Sequence, residues 1–192
     1  MKIGIDLSQL VYPQTGVANY LKNLVQAMLK IDSTNEYVLF GSSMRGNIRY
    51  QIDAIKDLYS HQTGSNIKYT NKNVEIKTFK FPPTLLDFLW NRLHIIPIEW
   101  LIGNVDVFIS SDWTQPPTKK AKSATILYDL LIYKYPQEMH SKIVATQKRR
   151  LKWVKKECDQ IICISDATKK DAMEILGIEK ERLQVVYPGA EK

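Results

Sequence analysis

The chain has 192 residues, of which 44% are hydrophobic and 24% are charged, a balance that is ordinary for a soluble globular domain. No segment approaches the ~20 uninterrupted apolar residues of a membrane span, and Asp6 comes too early for a signal peptide. The two cysteines, Cys158 and Cys163, lack the spacing of metal ligands. We therefore expect reduced thiols in a cytoplasmic protein without a bound metal.

The first forty residues carry a strand, a loop, a helix and a second strand. Residues 2–7 are a short buried strand, and residues 8–16 form a loop that contains a proline and a glycine. Apolar residues between Val17 and Leu29 then recur at helical spacing, up to a helix end near Ile31. Residues 36–41 predict the second strand, so the pattern indicates a βαβ unit in a parallel sheet.

The next segment, residues 42–73, is less regular. Apolar residues between Ile48 and Leu58 allow one helix. Residues 60–73 are mostly polar and turn-forming, which predicts a surface loop without chemistry. Residues 74–79 alternate as in a strand.

Residues 84–102 are strongly apolar, and Pro97 divides them. The proline favours two short helices over one long helix. We expect this segment to pack in the core, and a groove that faces lipid or an acceptor is the alternative.

The second half of the chain continues the alternation of strands and helices. Strands are predicted at residues 106–110 and 124–128, followed by a long helix from about Met139 to Cys158. Its apolar seam is expected at Ile143, Val144, Leu151 and Val154.

The chain closes with one more strand, helix and strand. Apolar residues 161–164 are followed by Ser165, which is typical of a helix N-cap, and Gly177 is typical of the helix end. Residues 183–187 predict the last strand. Together the elements predict an α/β, Rossmann-like doubly wound domain with a mainly parallel sheet and helices on both faces.

The positive charge is concentrated in one helix. Residues 142–156 hold seven lysines and arginines and no acid. Their combined charge equals the formal net charge of the chain, +7. We predict a basic face formed by Lys148, Arg149, Lys152 and Lys155. A solvated surface is the simplest interpretation, and peripheral contact with anionic lipid is the alternative. Because the sequence has no recognised nucleic-acid-binding motif, we expect no nucleic-acid partner.

Candidate chemistry lies in the loops at the carboxyl ends of the strands, where doubly wound sheets bind ligands. Thr15, Gly16 and Val17 open the first helix, whose N-terminal amides suit a phosphate oxygen. The chain has neither Gly-x-Gly-x-x-Gly nor a Walker lysine, which argues against NAD binding and P-loop chemistry.

Two other edge loops carry polar residues. Tyr128 and Asp129 follow a strand, where the carboxylate could orient a sugar hydroxyl or simply cap a turn. Capping alone explains Ser165 and Asp166. None of the three histidines is expected to be a ligand, and no Ser-His-Asp arrangement is persuasive.

Four segments resemble family-4 glycosyltransferases, which are retaining enzymes with the two-domain GT-B fold. They are Thr15–Tyr20, Asp106–Pro117, Thr125–Pro136 and Cys158–Gly189. The second and third are similar to segments of mannosyltransferase-like members. The resemblance implies transfer of a hexose from a GDP- or UDP-sugar to a glycan or lipid-linked acceptor, with no further cofactor.

The resemblance also implies roles for particular residues. Thr15, Gly16, Val17 and Ser165 would lie at the donor phosphates, Tyr128 and Asp129 at the catalytic centre, and Asp112 and Trp113 on the acceptor side. Tyr128 stands where the family often has histidine, and a phenol does not titrate near neutral pH.

The family binds its nucleotide through a C-terminal domain with two glutamates eight positions apart, and no pair here has that spacing. We therefore expect residues 1–187 to be the N-terminal, acceptor-side domain and residues 188–192 to begin an interdomain linker. Without the C-terminal domain we expect no activity. The alternatives are a non-catalytic Rossmann-like module that binds glycan or protein, and a basic protein of the membrane surface.

Overall fold

The structure is a computed structural model that describes residues 1–44, 48–61 and 73–189. The surface loop predicted at residues 60–73 lies largely outside these residues. The described strands are β1 Lys2–Asp6, β2 Glu36–Ser42, β3 Val74–Phe79, β4 Val107–Ser110, β5 Lys122–Leu127, β6 Gln160–Cys163 and β7 Leu183–Val185.

All strand pairs are parallel, and the sheet has the order β3-β2-β1-β4-β5-β6-β7. Residue Ile3 of β1 pairs with Tyr37 on one side and with Val107 on the other. The strand order therefore reverses at β1, between β2 and β4, and such a reversal opens a crevice at the carboxyl edge of a sheet.

The helices are α1 Gly16–Ile31, α2 Ile48–His61, α3 Pro83–Leu86, α4 Glu99–Ile102, α5 Leu131–Lys134, α6 Ser141–Glu157 and α7 Asp166–Leu176. A π-helical turn, Asp87–Arg92, continues α3. A 3-10 turn, Ser8–Val11, follows β1.

Alternate residues of the strands face opposite layers of helices. Tyr37 and Leu39 pack in the core beneath α1 and α2, whereas Val38 and Phe40 pack against α3 and α4. On this second face, Cys163 contributes to the core with α6 and α7. Burial on both faces explains why these strands are nearly continuous apolar runs. The parallel sheet with helices on both faces confirms the prediction of a Rossmann-like α/β fold.

Local capping determines where two of the helices begin and end. The Thr15 hydroxyl accepts a hydrogen bond from the Ala18 N–H at 3.2 Å, and the Ser165 hydroxyl accepts one from the Thr168 N–H at 3.1 Å. Gly177 ends α7 in the left-handed conformation with φ of 61°, which costs glycine little. These contacts follow from sequence-local chemistry and agree with the predicted boundaries.

The apolar segment of residues 84–102 divides as expected into two helical pieces. Its residues Leu86, Trp90, Ile98 and Ile102 are buried, whereas Leu85, Phe88, Leu93, Ile95 and Trp100 are exposed. The break between the pieces extends over residues 93–98, in which His94 and Ile96 have positive φ. The segment therefore supplies both core and an apolar surface.

The predicted apolar seam of α6 is wrong in its first half. Ile143 is exposed, whereas Thr146, Gln147 and Arg150 are buried with Leu151. The two halves of α6 pack on different kinds of surface. Its first half lies over polar groups at the carboxyl ends of β4 and β5, and only its second half covers apolar strand residues.

The two outer strands of the sheet differ from the inner ones. On β3, Glu75 and Lys77 form an ion pair with 2.6 Å between Oε1 and Nζ. At the opposite edge, β7 has three residues.

Candidate functional site

Among the described residues, a larger and a smaller cleft lie at the carboxyl edge of the sheet. The larger, here called the glycine cleft, has a volume of about 710 Å³ and is lined by Gly16, Val17, Tyr128, Asp129 and residues 186–189. The smaller, here called the switch cleft, has about 280 Å³ and lies where the strand order reverses. Its lining residues include Asp6, Ser8, Ser42, Ser43, Trp113 and Thr114.

The start of α1 forms one wall of the glycine cleft. Thr15 caps the N–H of Ala18 and donates its own hydroxyl to the Tyr12 carbonyl at 2.9 Å, so it supports the turn without lining the cleft. Gly16 and Val17 do line it. A Cβ on Gly16 would meet no atom within 4 Å, so the glycine leaves open space beside the first amides of the helix. These amides have no partner within the helix.

The opposite wall carries Tyr128. Its ring is buried, its hydroxyl has no hydrogen-bond partner among the described residues, and the ring of Tyr20 meets it edge-on at 5.6 Å. Burial, and next the charge of Asp112, raise the pKa of Tyr128 well above its ordinary value. The phenol therefore stays neutral, and its buried hydroxyl keeps a donor that no described residue uses.

Asp129 lies beside Tyr128 in the same cleft. Its Oδ1 accepts a hydrogen bond from the Leu131 N–H at 3.0 Å, at the start of α5. The capping contact left open by the sequence is therefore present. A carboxylate has further acceptor capacity, so capping and contact with a ligand hydroxyl are compatible.

The segment after β7 closes the third side of the glycine cleft. The Tyr20 hydroxyl donates to the Val186 carbonyl at 3.0 Å, and the Val186 N–H donates to the Cys163 carbonyl at 2.9 Å. The Tyr187 hydroxyl donates to the Asp166 carboxylate. Ser165 does not line this cleft; its hydroxyl is engaged with Thr168.

Asp112 and Trp113, the two residues expected on the acceptor side, do not line the glycine cleft. Trp113 lines the switch cleft, whereas Asp112 is not part of its lining and has its Oδ1 3.8 Å from Nη1 of Arg150. Burial raises the pKa of Asp112, and the guanidinium opposes that rise. The predicted residues therefore divide between two clefts, with Gly16, Tyr128 and Asp129 in one and Trp113 in the other.

Arg150 is a residue that the sequence analysis missed. It was counted among the charges of the basic helix, yet only 1% of its surface is exposed. Nη2 donates to Thr125 Oγ1 at 2.7 Å and to the Ile126 carbonyl at 3.0 Å. Helical periodicity could have revealed its burial, because Arg150 lies four residues before the buried Val154 and therefore on the same helix face.

Asp6 is the second missed residue. It ends β1, lines the switch cleft and accepts a hydrogen bond from the Ser8 N–H at 2.9 Å. Burial raises its pKa, while hydrogen bonds from Ser8 and the charge of Arg150 act in the opposite direction. The signal available in the sequence was an acid directly after an apolar strand that begins a doubly wound sheet.

The predicted basic face of α6 is only partly uniform. Lys148, Lys152 and Lys155 are exposed, and the Lys148 ammonium lies 5.2 Å from the centre of the Tyr133 ring. Arg149 points away from them and pairs with Asp87, with 2.8 Å between Nη2 and Oδ2. Within the described part of the chain, every helix is too short or too polar to span a bilayer.

The sheet order, with clefts at the carboxyl edge, defines a Rossmann-like domain. A sequence profile of Glycosyltransferase Family 4 matches residues 15–191, and the chain belongs to this family. It is thus a domain of glycosyltransferase type. A comparison with curated proteins finds no match.

Among solved structures, the fold is similar to that of a short-chain dehydrogenase from Oenococcus oeni PSU-1. The two share 10% sequence identity, the TM-score is 0.42, and the match covers 98% of this chain and 96% of the dehydrogenase.

Proposed function

We propose that the chain is the acceptor-side domain of a retaining, GT-B-type glycosyltransferase that transfers a hexose from a nucleotide sugar to an acceptor hydroxyl. The observation that carries the proposal is the meeting of Gly16, Tyr128 and Asp129 in one cleft of a chain that belongs to Glycosyltransferase Family 4. The cleft volume of about 710 Å³ lies within the usual range for small-molecule sites.

Each wall of the glycine cleft has a task in this reaction. The amides of Gly16 and Val17 at the start of α1 receive a donor phosphate oxygen, because a helix N-terminus favours negative charge. The neutral phenol of Tyr128 donates to a sugar hydroxyl or to the leaving phosphate. Asp129 accepts a hydrogen bond from a sugar hydroxyl and so orients the ring.

The negative charge of the donor diphosphate needs cationic side chains that the described lining of this cleft does not supply. None of the described residues that line the glycine cleft is a lysine or an arginine. The diphosphate of a nucleoside diphosphate sugar, in contrast, carries two negative charges. We infer that a second domain, joined through residues 188–192, supplies those cations and holds GDP or UDP. In this view the chain alone is inactive.

The acceptor, either a glycan or a lipid-linked sugar, enters the switch cleft beside Trp113. Mannose is the proposed hexose, which rests on the similarity of residues 106–117 and 125–136 to mannosyltransferase-like members. The exposed lysines Lys148, Lys152 and Lys155 would then meet anionic lipid at the cytoplasmic face of the membrane.

The test is the Gly16→Ala variant of the longest natural form of the protein. A Cβ at residue 16 has free space in the structure, so the melting temperature should be unchanged. Hexose transfer from GDP- or UDP-sugars should fall by about tenfold or more, equivalent to about 1.4 kcal/mol. Lys22→Ala, an exposed change on the same helix, is the control and should leave transfer unaltered.

Two results would contradict the proposal. Wild-type transfer by Gly16→Ala would mean that the start of α1 does not hold the donor. If the protein transfers hexose from no GDP- or UDP-sugar but binds a glycan tightly, the non-catalytic module is the correct interpretation.

A further inference from the structure

A third cleft, which the proposed transfer reaction does not use, lies between the Asp87–Arg92 turn and the first half of α6. Its volume is about 450 Å³. It shares Pro83 and Trp113 with the switch cleft, so the two clefts adjoin. We call it the arginine cleft, after Arg92 and Arg149 in its lining.

Positive charge predominates in the arginine cleft. The Arg149 Nη2 lies 2.8 Å from Asp87 Oδ2, and the Arg92 Nε lies 3.8 Å from the same oxygen. Lys142 also lines the cleft. Three cations therefore face one carboxylate, so these four side chains together carry a net charge of +2.

Arg149 is held in place before any ligand arrives. Asp87 Oδ1 accepts from the Asn91 side chain at 2.9 Å, and the buried Asn91 in turn accepts from the Gln115 N–H at 3.0 Å. Arg149 Nη2 also donates to Thr146 Oγ1 at 3.0 Å. A guanidinium has five N–H donors, more than these contacts use, and a fixed donor loses little entropy when it binds an anion.

The π-helical geometry of the turn helps to build this arrangement. Hydrogen bonds from residue i to residue i+5 widen the turn, so Asp87 and Arg92, five residues apart, come onto one side. Such turns are frequent at functional sites.

Apolar side chains border the cations. Phe88 and Ile143 line the cleft while 48% and 41% exposed, and Leu85 of α3 is exposed nearby. Water-exposed apolar groups beside these cations complement a ligand that joins an anionic head to an apolar chain. A fully hydrophilic anion would leave these groups uncovered.

We propose that the arginine cleft binds the phosphate group of an amphiphilic phosphate ester, with the apolar chain of the ester along Phe88 and Ile143. This rests on the proposed function, because it identifies the acceptor as a lipid-linked phosphate whose sugar end reaches the adjoining switch cleft. Arg92 and Arg149 hold the phosphate oxygens, and Trp113 lies between the phosphate and the accepting hydroxyl.

The test is calorimetric titration of the 192-residue chain with three probes. These are decyl phosphate below its micelle concentration, inorganic phosphate and uncharged decyl glucoside. Decyl phosphate should bind about tenfold or more tightly than either of the others, because only it engages both the cations and the apolar wall.

Variants assign the binding to this cleft. Arg92→Gln, at an exposed side chain, should weaken decyl phosphate binding by about tenfold, and Arg149→Gln should do the same. Phe88→Ser should weaken decyl phosphate but leave inorganic phosphate unchanged. The double variant Lys22→Gln, Lys30→Gln removes two exposed charges from α1 and should alter binding less than about twofold.

The proposal fails if Arg92→Gln, shown by its melting temperature to be folded, binds decyl phosphate as the wild type does. Equal affinity for decyl phosphate and inorganic phosphate would mean a soluble phosphate ligand and would also overturn it. Equal affinity for decyl glucoside would mean that the arginines play no part. Because these titrations contain no donor, they can fail while hexose transfer is observed, and they can succeed where transfer is absent.

Discussion

Replacing Arg150 with methionine removes a buried charge while keeping an unbranched apolar side chain. In the structure the guanidinium donates to Thr125 and to the Ile126 carbonyl, and it lies 3.8 Å from the Asp112 carboxylate. Methionine makes none of these contacts. Two acceptors and a carboxylate would therefore lose the guanidinium as a partner.

The size of the effect follows from the burial of the pair. Removing one member of a buried ion pair costs about 3–5 kcal/mol, because the other charge is left uncompensated. The Asp112 side chain keeps 27% of its surface in solvent, so we expect the lower end, about 3 kcal/mol at pH 8. Domains of this size have stabilities of about 5–15 kcal/mol, so the variant should still fold.

The cost should depend on pH in a defined direction. Burial raises the pKa of Asp6 and of Asp112, and Arg150 opposes both rises. Without Arg150 both folded pKa values increase further. A carboxyl with a raised folded pKa destabilises the protein as pH rises from its unfolded pKa, about 4, towards the folded value. The deficit of Arg150→Met should therefore be smaller at pH 5 than at pH 8.

The assay is urea unfolding followed by circular dichroism at both pH values. Lys148→Met, an exposed change two residues earlier on the same helix, is the matched control and should shift the free energy of unfolding by less than about 1 kcal/mol. A deficit for Arg150→Met below about 1 kcal/mol at pH 8 would refute the reasoning, since breaking a buried pair costs more. So would a deficit that is equal at pH 5.

Three further outcomes are expected. Gly41→Ala would bring a Cβ to within 2.7 Å of a core isoleucine carbon and should lower the free energy of unfolding by about 1–3 kcal/mol in urea melts; an unchanged melt would contradict the packing. Burial raises the pKa of Cys158 and Cys163 to about 11, so a thiol reagent at pH 8 should label both far more slowly in the native chain than in urea, and equal rates would contradict this. Tyr20→Phe removes the bond to Val186 and should cost about 0.5–1.5 kcal/mol, with no change in melts as the adverse result.

Local signals in the sequence predicted the frame of the domain. Apolar strands cut by turn residues are visible without tertiary contacts, and so are the cap at Ser165 and the left-handed position at Gly177. These features depend on a few neighbouring residues, and for that reason the element order and most boundaries followed from the sequence.

Contacts between distant elements were not accessible in the same way. A run of lysines and arginines predicts a charged surface, yet the surroundings of Arg150 depend on which strand ends lie beneath α6. The pairing of Arg149 with Asp87 joins residues 62 positions apart. Similarly, the sequence assigned Trp113 and Tyr128 to one sheet edge but could not show that the edge holds separate clefts.

The two outer strands bear on how the domain behaves at high concentration. An exposed strand edge can pair with another chain and start aggregation, and charged or very short edge strands oppose this. The Glu75–Lys77 pair on β3 would have to be desolvated against an incoming strand, and β7 offers only three residues for pairing. We therefore expect concentrated solutions of the chain to resist β-mediated association at both borders of the sheet.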